Sequence, residues 1–187
     1  MELQTDNPYQ APSAPIQAMA VATPRPVLYA PVTWKFVLLS VCTFNFYLII
    51  WFYRNWVGLR RAQQIKLSPV WRSIFSPFTA YSCFGRMEEV SAKRTGLRDL
   101  NFHAGILATI YFVLNAFGRL PEPFWVVALF ACVPVLIVNA KVRAANLAAG
   151  DDVAIDDRLS WGAWILVALG VCCFALAMVG LVLSEPA

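Results

Sequence analysis

"TWKFVLLSVCTFNFYLIIWFYRNW", residues 33–56, decides how the rest of this chain is read. Between Lys35 and Arg54 it runs eighteen residues without a charge, carries Asn45 near its centre, and closes on aromatics and arginine. An uncharged run of that length is a candidate bilayer crossing, because ~20 helical residues rising ~1.5 Å each span a hydrocarbon core ~30 Å thick. Two readings fit. The stretch 34–53 is one helix through the membrane, or Asn45, beside Thr43 and Phe44, breaks it into a hairpin that returns to the side it came from. A cleaved secretory signal is not expected. The stretch follows a 32-residue tail whose sole cation is Arg25, and it ends in bulky aromatics where a cleavage site needs small residues.

The composition around this stretch points the same way. Of 187 residues, 59% are hydrophobic and 14% charged, against roughly 45–50% apolar and about 25% charged in an ordinary soluble domain. The mean hydropathy is +0.60. A chain of this make-up has too little polar surface to cover its apolar stretches, so lipid is the expected solvent for much of it. The net charge of +4 comes from cations that flank apolar segments and form no nucleic-acid module, so no nucleic-acid partner is expected. Five cysteines, Cys42, Cys83, Cys132, Cys172 and Cys173, form no CxxC pair, and four of them lie inside apolar segments. They read as small packing residues.

On the amino-terminal side, residues 1–32 hold six of the twelve prolines and read as an extended tail. Its "NPYQAP" is either a short recognition segment or part of a plain linker. On the other side, 54–66 reads as a helix leaving the membrane. Next comes "SPVWRSIFSPFTAYSCF" (68–84), where Ser68 can cap a helix, Pro69 suits its first position, and Trp71, Ile74, Phe75 and Phe78 share a face. That division predicts an amphipathic helix over about 69–84 lying in the interface, followed by a polar helix over 85–101. Further apolar stretches cover 102–118, 124–140 and 161–183. "RLPEP" makes a tight turn between the first two of these, and Gly150 ends the helix-forming "KVRAANLAA" before the third. The expected fold is therefore all-α: a polytopic membrane protein with four transmembrane helices plus the interfacial helix.

Cations near crossings stay cytoplasmic. Twelve of the fifteen basic residues lie between the first and second or the third and fourth crossings, which would leave Arg25, Lys35 and Arg119 outside together with both termini. The re-entrant reading of 34–53 would instead keep the tail inside. Trp34, Trp51, Tyr53, Trp56, Trp125, Trp161 and Trp164 stand at or near segment ends, where Trp and Tyr prefer the headgroup level.

The run "KFVLLSVCTFNFYLIIWFYRNW", then "LSPVWRSIFSPFTAYSCFGRM" and "IVNAKVRAANLAAG", resembles small bacterial inner-membrane proteins of uncharacterised function. Their first segment ends in a Tyr/Trp-Phe-Tyr-Lys/Arg-Asn-Trp cluster and is followed by a Ser-Pro-x-Trp-Arg-x-Ile-Phe element. The resemblance covers most of the chain after residue 33 and implies a bacterial cytoplasmic-membrane address, with no activity attached. Glycine is common in that family where Asn45 stands here.

Catalytic signatures are missing: there is no HExxH, GxSxG, P-loop or GxGxxG, and no cofactor is expected. His103, the single histidine, stands four residues after Asp99, so the two could share a proton at a helix start, although an interfacial histidine explains it as well. "GDDVAIDDR" gathers Asp151, Asp152, Asp156 and Asp157 without the ligand spacing of a calcium loop. It reads as a solvated acidic loop, able to pair with the basic loop on the same face. Asn45, Asn115 and Asn139 are the candidate intramembrane polar contacts, joining helices or lining a path. Gly170, Cys173, Ala177 and Gly180 could form a close-packing face on the last stretch.

These features predict a non-enzymatic membrane interaction or assembly protein. A basic face of Arg54, Arg60, Arg61, Lys66, Trp71 and Arg72 would engage anionic lipids, and self-association or another membrane protein is a further expectation. A small transporter or channel component is the alternative, and an enzyme built on Asp99 and His103 is a third.

Overall fold

A computed structural model describes residues 25–96, 101–120, 124–157, 161–168 and 170–172. The described secondary structure is helical throughout, as the all-α expectation requires. It comprises α1 (Thr33–Cys42), α2 (Phe46–Gln63), α3 (Pro69–Ile74), α4 (Ser76–Thr95) and α5 (Ala104–Phe117). A 3-10 segment (Phe124–Ala131) then leads into α6 (Cys132–Ala148), and α7 (Ala154–Asp157) follows. Residues 161–168 and 170–172 are also helical. Val127–Ala148 is the one described helix long and apolar enough to cross a bilayer.

The quoted stretch is not one helix. Phe44 and Asn45 take φ values of 48° and 67°, a left-handed conformation that Asn tolerates because its short amide can bond locally. Thr43 links the two halves: its hydroxyl donates to Leu39 O at 2.7 Å and accepts the Tyr47 amide at 2.9 Å. That hydroxyl satisfies one of the amides left open at the start of α2. Past the turn the chain doubles back, so that Phe36 meets Tyr47 and Trp51 edge-on, with ring centroids 5.8 and 6.2 Å apart.

Prolines set the second hairpin. Pro69 occupies the first turn of α3, and Pro77 the first turn of α4. Pro77 has no amide to bond back to Ser73 and its ring excludes that carbonyl, so the helix stops at Phe75 and restarts. The expected single helix over 69–84 is thus a short helix plus the beginning of α4. The expected boundary at residue 85 falls inside α4, which runs on to a left-handed Gly96 cap. A third hairpin joins α5 to α6, closing where Gly118 packs on the Ala128 side chain.

All three hairpins point the same way. At one end Gln63, from the close of α2, contacts Arg86 and Glu89 of α4, and Arg94 binds Asp151 beyond α6. At the other end Asn45 Nδ2 donates to Ala128 O and Leu129 O at 3.0 and 3.1 Å, so the α1–α2 turn rests on the turn of the third hairpin. Residues 161–168 and 170–172 run beside α1, and at Gly170 any side-chain carbon would overlap the Cys42 carbonyl. Gly170 therefore does pack closely, while Cys173, Ala177 and Gly180 lie outside the described residues.

Aromatic rings fill the interior. Phe52 stacks on Phe84 at 5.8 Å and meets Tyr111 at 5.5 Å. Trp51 and Trp56 are fully buried in this core, which corrects their expected position at the headgroup level: α2 turns them inward, away from its surface. Trp34, Trp71, Trp161 and Trp164 are exposed.

Candidate functional site

The polar end of the bundle is organised around an extended strap, residues 27–32, buried between α2 and α6. A chain without secondary structure cannot satisfy its own amides and carbonyls, and each one buried without a partner costs ~1–3 kcal/mol. Here side chains take over that task. Asn55 accepts the Tyr29 amide at 3.0 Å and donates to the Tyr29 carbonyl at 3.1 Å, mimicking with one amide group the paired bonds of a β-bridge. Asn146, Arg143 and Asn139 donate to the carbonyls of Leu28, Ala30 and Pro31 at 2.9, 3.0 and 2.8 Å. Asp156 accepts the Ala30 amide at 3.1 Å, and Asp157 the Val32 amide at 2.8 Å.

Geometry explains why α6 can do this. Its three donors stand at i, i+4 and i+7, one helical face, and seven residues rise ~10 Å. Three extended residues, from Leu28 to Pro31, cover a similar ~10 Å in the opposite direction. Rungs on the helix therefore meet carbonyls on the strap in register. Asn139 is shared, since its Oδ1 accepts Trp51 Nε1 at 3.0 Å. Close approach is also required at Gly58, where a Cβ would overlap the Val27 carbonyl oxygen.

The acidic loop is built into this arrangement, and the expectation that it is solvated is corrected. Asp151 is 6% and Asp156 7% exposed. Arg94 grips Asp151 with two bonds of 2.6 and 2.8 Å, and Arg143 grips Asp157 at 2.8 and 2.7 Å. Asp152 accepts the Ala154 amide at 3.1 Å and starts the α7 turn. Pairing with the basic loop does occur, through Arg94. The reason is local: strap amides and two arginines need acceptors in one place, and the loop supplies them. Burial raises the Asp156 carboxyl above its ordinary value, opposed by the Ala30 amide, Arg54 and Lys35. Burial likewise raises the Tyr29 hydroxyl, which shares a 2.9 Å bond with Tyr47. The Asp151 bonds raise the Arg94 guanidinium.

The strap brings together segments that the four-crossing reading places on opposite sides. Residues 27–32 and Lys35, placed outside by the four-crossing reading, touch Asn146, Asp156 and Asp157 of the 141–160 connection. They share an end because the break at Asn45 returns α2 to where α1 began. Arg25 and Lys35 thereby join the other cations, and Arg119 is left at the opposite end among the described residues.

The residues singled out from sequence separate into groups. Arg60, Arg61 and Lys66 are exposed at the end of α2. Arg54 is exposed too, lying 3.9 Å over the Tyr29 ring. Arg72 instead sits 4.8 Å over the buried Trp56 ring, and Trp71 stacks on Phe75. Asn45 and Asn139 join separate elements, whereas Asn115 donates to Tyr111 O of its own helix at 2.7 Å. His103 is exposed at the start of α5, its amide bonded to Asn101 Oδ1 at 2.8 Å, and Asp99 lies outside the described residues. Sequence reasoning missed the roles of Asn55, Arg143 and Asn146, although the 139/143/146 spacing along one face of α6 is a readable signal.

No protein-family model, curated protein or solved structure matches this chain.

Proposed function

We propose that this chain is an inner-membrane protein, bacterial as the resemblance implies, whose apolar hairpins dip into lipid from the cytoplasmic face. Its role is a non-enzymatic one of membrane interaction or assembly. The supporting observation is a girdle of exposed large apolar side chains, among them Val41, Phe46, Trp71, Phe78, Ile106 and Phe130, beneath an end rich in cations. A soluble monomer rarely leaves so extensive an apolar surface in water. The ten residues of α1 rise ~15 Å, about half of a ~30 Å hydrocarbon core. The upper half of α6, long enough to cross in combination with the 3-10 segment, carries Asn139, Lys141, Arg143 and Asn146 and packs on the strap. Re-entry from one leaflet therefore accounts for the described body better than four full crossings, and it keeps every described cation but Arg119 on the cytoplasmic side.

The basic end is the interaction surface. A cation near an anionic leaflet contributes ~1 kcal/mol, so replacing Arg60, Arg61 and Lys66 by glutamine should weaken partition onto phosphatidylglycerol-containing vesicles by ~100-fold, with partition onto phosphatidylcholine vesicles unchanged. Equal partition of the triple variant and the unmodified protein onto the anionic vesicles would remove the basic end from the account. A protein that stays monodisperse in detergent-free buffer would remove the membrane.

A further inference from the structure

Beside the strap, α1, α2, α7 and residues 162–166 enclose an open cavity of about 440 Å³. Its polar border consists of Lys35, Arg54, Asp156 and the hydroxyls of Tyr29 and Tyr47, and Leu39, Ile50 and Leu166 supply apolar wall. Lys35 is 4% exposed, and its ammonium donates to the Asp156 carbonyl oxygen at 2.5 Å. Among the described residues, two cations and one carboxylate thus border one space. On α1, Leu39 lies one turn deeper than Lys35, and on α2, Ile50 lies one turn deeper than Arg54, so the charged groups stand at the strap end of the space and apolar wall follows them, with the Tyr47 hydroxyl bonded to that of Tyr29 beside it.

We propose that this cavity holds a single phosphodiester lipid bearing one net negative charge and a hydroxylated headgroup. The inference rests on the membrane reading given above. Arg54 and Lys35 take the phosphodiester. Tyr29, Tyr47 and Asp156 provide partners for headgroup hydroxyls, Asp156 as an acceptor. Leu39, Ile50 and Leu166 face the first methylenes of an acyl chain. The volume lies within the ~300–1,000 Å³ of ordinary ligand sites. A zwitterionic choline lipid fits less well, because its trimethylammonium group brings a second cation and no hydrogen-bond donor to the same border. The site differs in kind from the exposed Arg60, Arg61 and Lys66 surface: a partly enclosed ion contact is screened far less by salt than an open one.

The test uses the full-length protein in a neutral detergent, with bound lipid counted by native mass spectrometry during titration with phosphatidylglycerol, phosphatidylcholine or inorganic phosphate. The expected result is saturation at one phosphatidylglycerol per chain, persisting at 0.5 M salt (roughly a 4 Å screening length), with phosphatidylcholine and inorganic phosphate bound at least ~10-fold more weakly. Arg54→Gln, an exposed position that takes part in none of the strap's backbone bonds, should weaken that binding by ~10-fold or more, the loss of a charge-assisted contact. Lys35→Gln should act likewise. The Arg60→Gln/Arg61→Gln variant should keep the one-lipid saturation while losing vesicle partition. Retention of phosphatidylglycerol by Arg54→Gln at unmodified strength, equal retention of phosphatidylcholine, or equal binding of inorganic phosphate would each overturn the site. Normal vesicle partition with no saturable lipid would overturn the site and leave the membrane reading standing, whereas loss of both would remove the membrane reading itself.

Discussion

Replacing Asn55 by alanine tests the strap most directly. The side chain of Asn55 is fully buried, and one amide group serves both backbone polar atoms of Tyr29, itself only 7% exposed. In Asn55→Ala the Tyr29 amide and carbonyl lose these partners together. At ~1–3 kcal/mol for each buried orphan, the cost is about 2–6 kcal/mol, a large share of the ~5–15 kcal/mol that holds a typical domain folded. The Trp51 carbonyl, which Asn55 also contacts at 3.1 Å, keeps its place in the α2 ladder and adds little. Asn115→Ala is the matched control. Its amide bonds a carbonyl of its own helix and no other element, and the change should stay within ~0.5 kcal/mol. Two measurements apply: equilibrium unfolding in a mild detergent, and amide hydrogen exchange across residues 27–32. Local release of the strap at ~2 kcal/mol corresponds to exchange faster by ~30-fold at Tyr29 and Ala30, with helix amides of α5 unaffected. If Asn55→Ala matches Asn115→Ala in stability and leaves strap exchange unchanged, side chains are not what holds this segment.

Three further predictions use the same architecture. Gly58→Ala should destabilise by ~1–3 kcal/mol and loosen the strap, because the added methyl overlaps the Val27 carbonyl. Gly85→Ala, in the middle of α4 with open space around it, should stabilise by ~0.5–1 kcal/mol, and the pair is read by thermal unfolding. Asp151→Asn should cost about 1–3 kcal/mol by weakening the bidentate grip of Arg94, with little dependence on salt because the carboxylate is buried. Equal loss at low and high salt checks this. Asp156 governs a pH effect. Its carboxyl is raised in the fold, so between its ordinary 3.8 and the raised value the native state binds the proton more tightly and stability falls as pH rises. Asp156→Asn should therefore gain on the unmodified protein most at neutral pH, and the gap should narrow on acidification toward 3.8. Glu89, lowered chiefly by its bond with Lys93, has the opposite sign: it loses stability as pH falls below 4.5. The comparison at Asp156 cancels that contribution. A gap that widens on acidification would refute the sign.

Much of the fold was legible where one residue type has one physical use. Pro69 marks a helix start because proline has no amide to spare, and Gly150 follows a helix end in the left-handed region, whereas Pro77 and Gly96, read as lying inside helices, divide them. Asn45 was visible as a break. What decided between break and crossing was Thr43, whose hydroxyl ties both helix ends, together with two carbonyls of the 3-10 segment eighty-three and eighty-four residues away. The strap was illegible for a different reason. Leu28, Tyr29 and Ala30 carry no pattern that predicts burial, and their backbone partners come from Asn55, Arg143, Asn146 and Asp156, scattered over a hundred residues. A composition that looks like tail becomes core only when distant side chains converge on it.

By itself the sequence determined the helical class, the apolar segments and the gathering of cations around them, because hydropathy, proline and glycine act over a few neighbouring residues. Tertiary structure decided that the first segment folds back, that the tail's last residues run through the polar end, and that an acidic loop is buried with arginines. Those outcomes depend on satisfying buried amides and carbonyls with groups far along the chain, and only a folded arrangement brings such groups within hydrogen-bond reach.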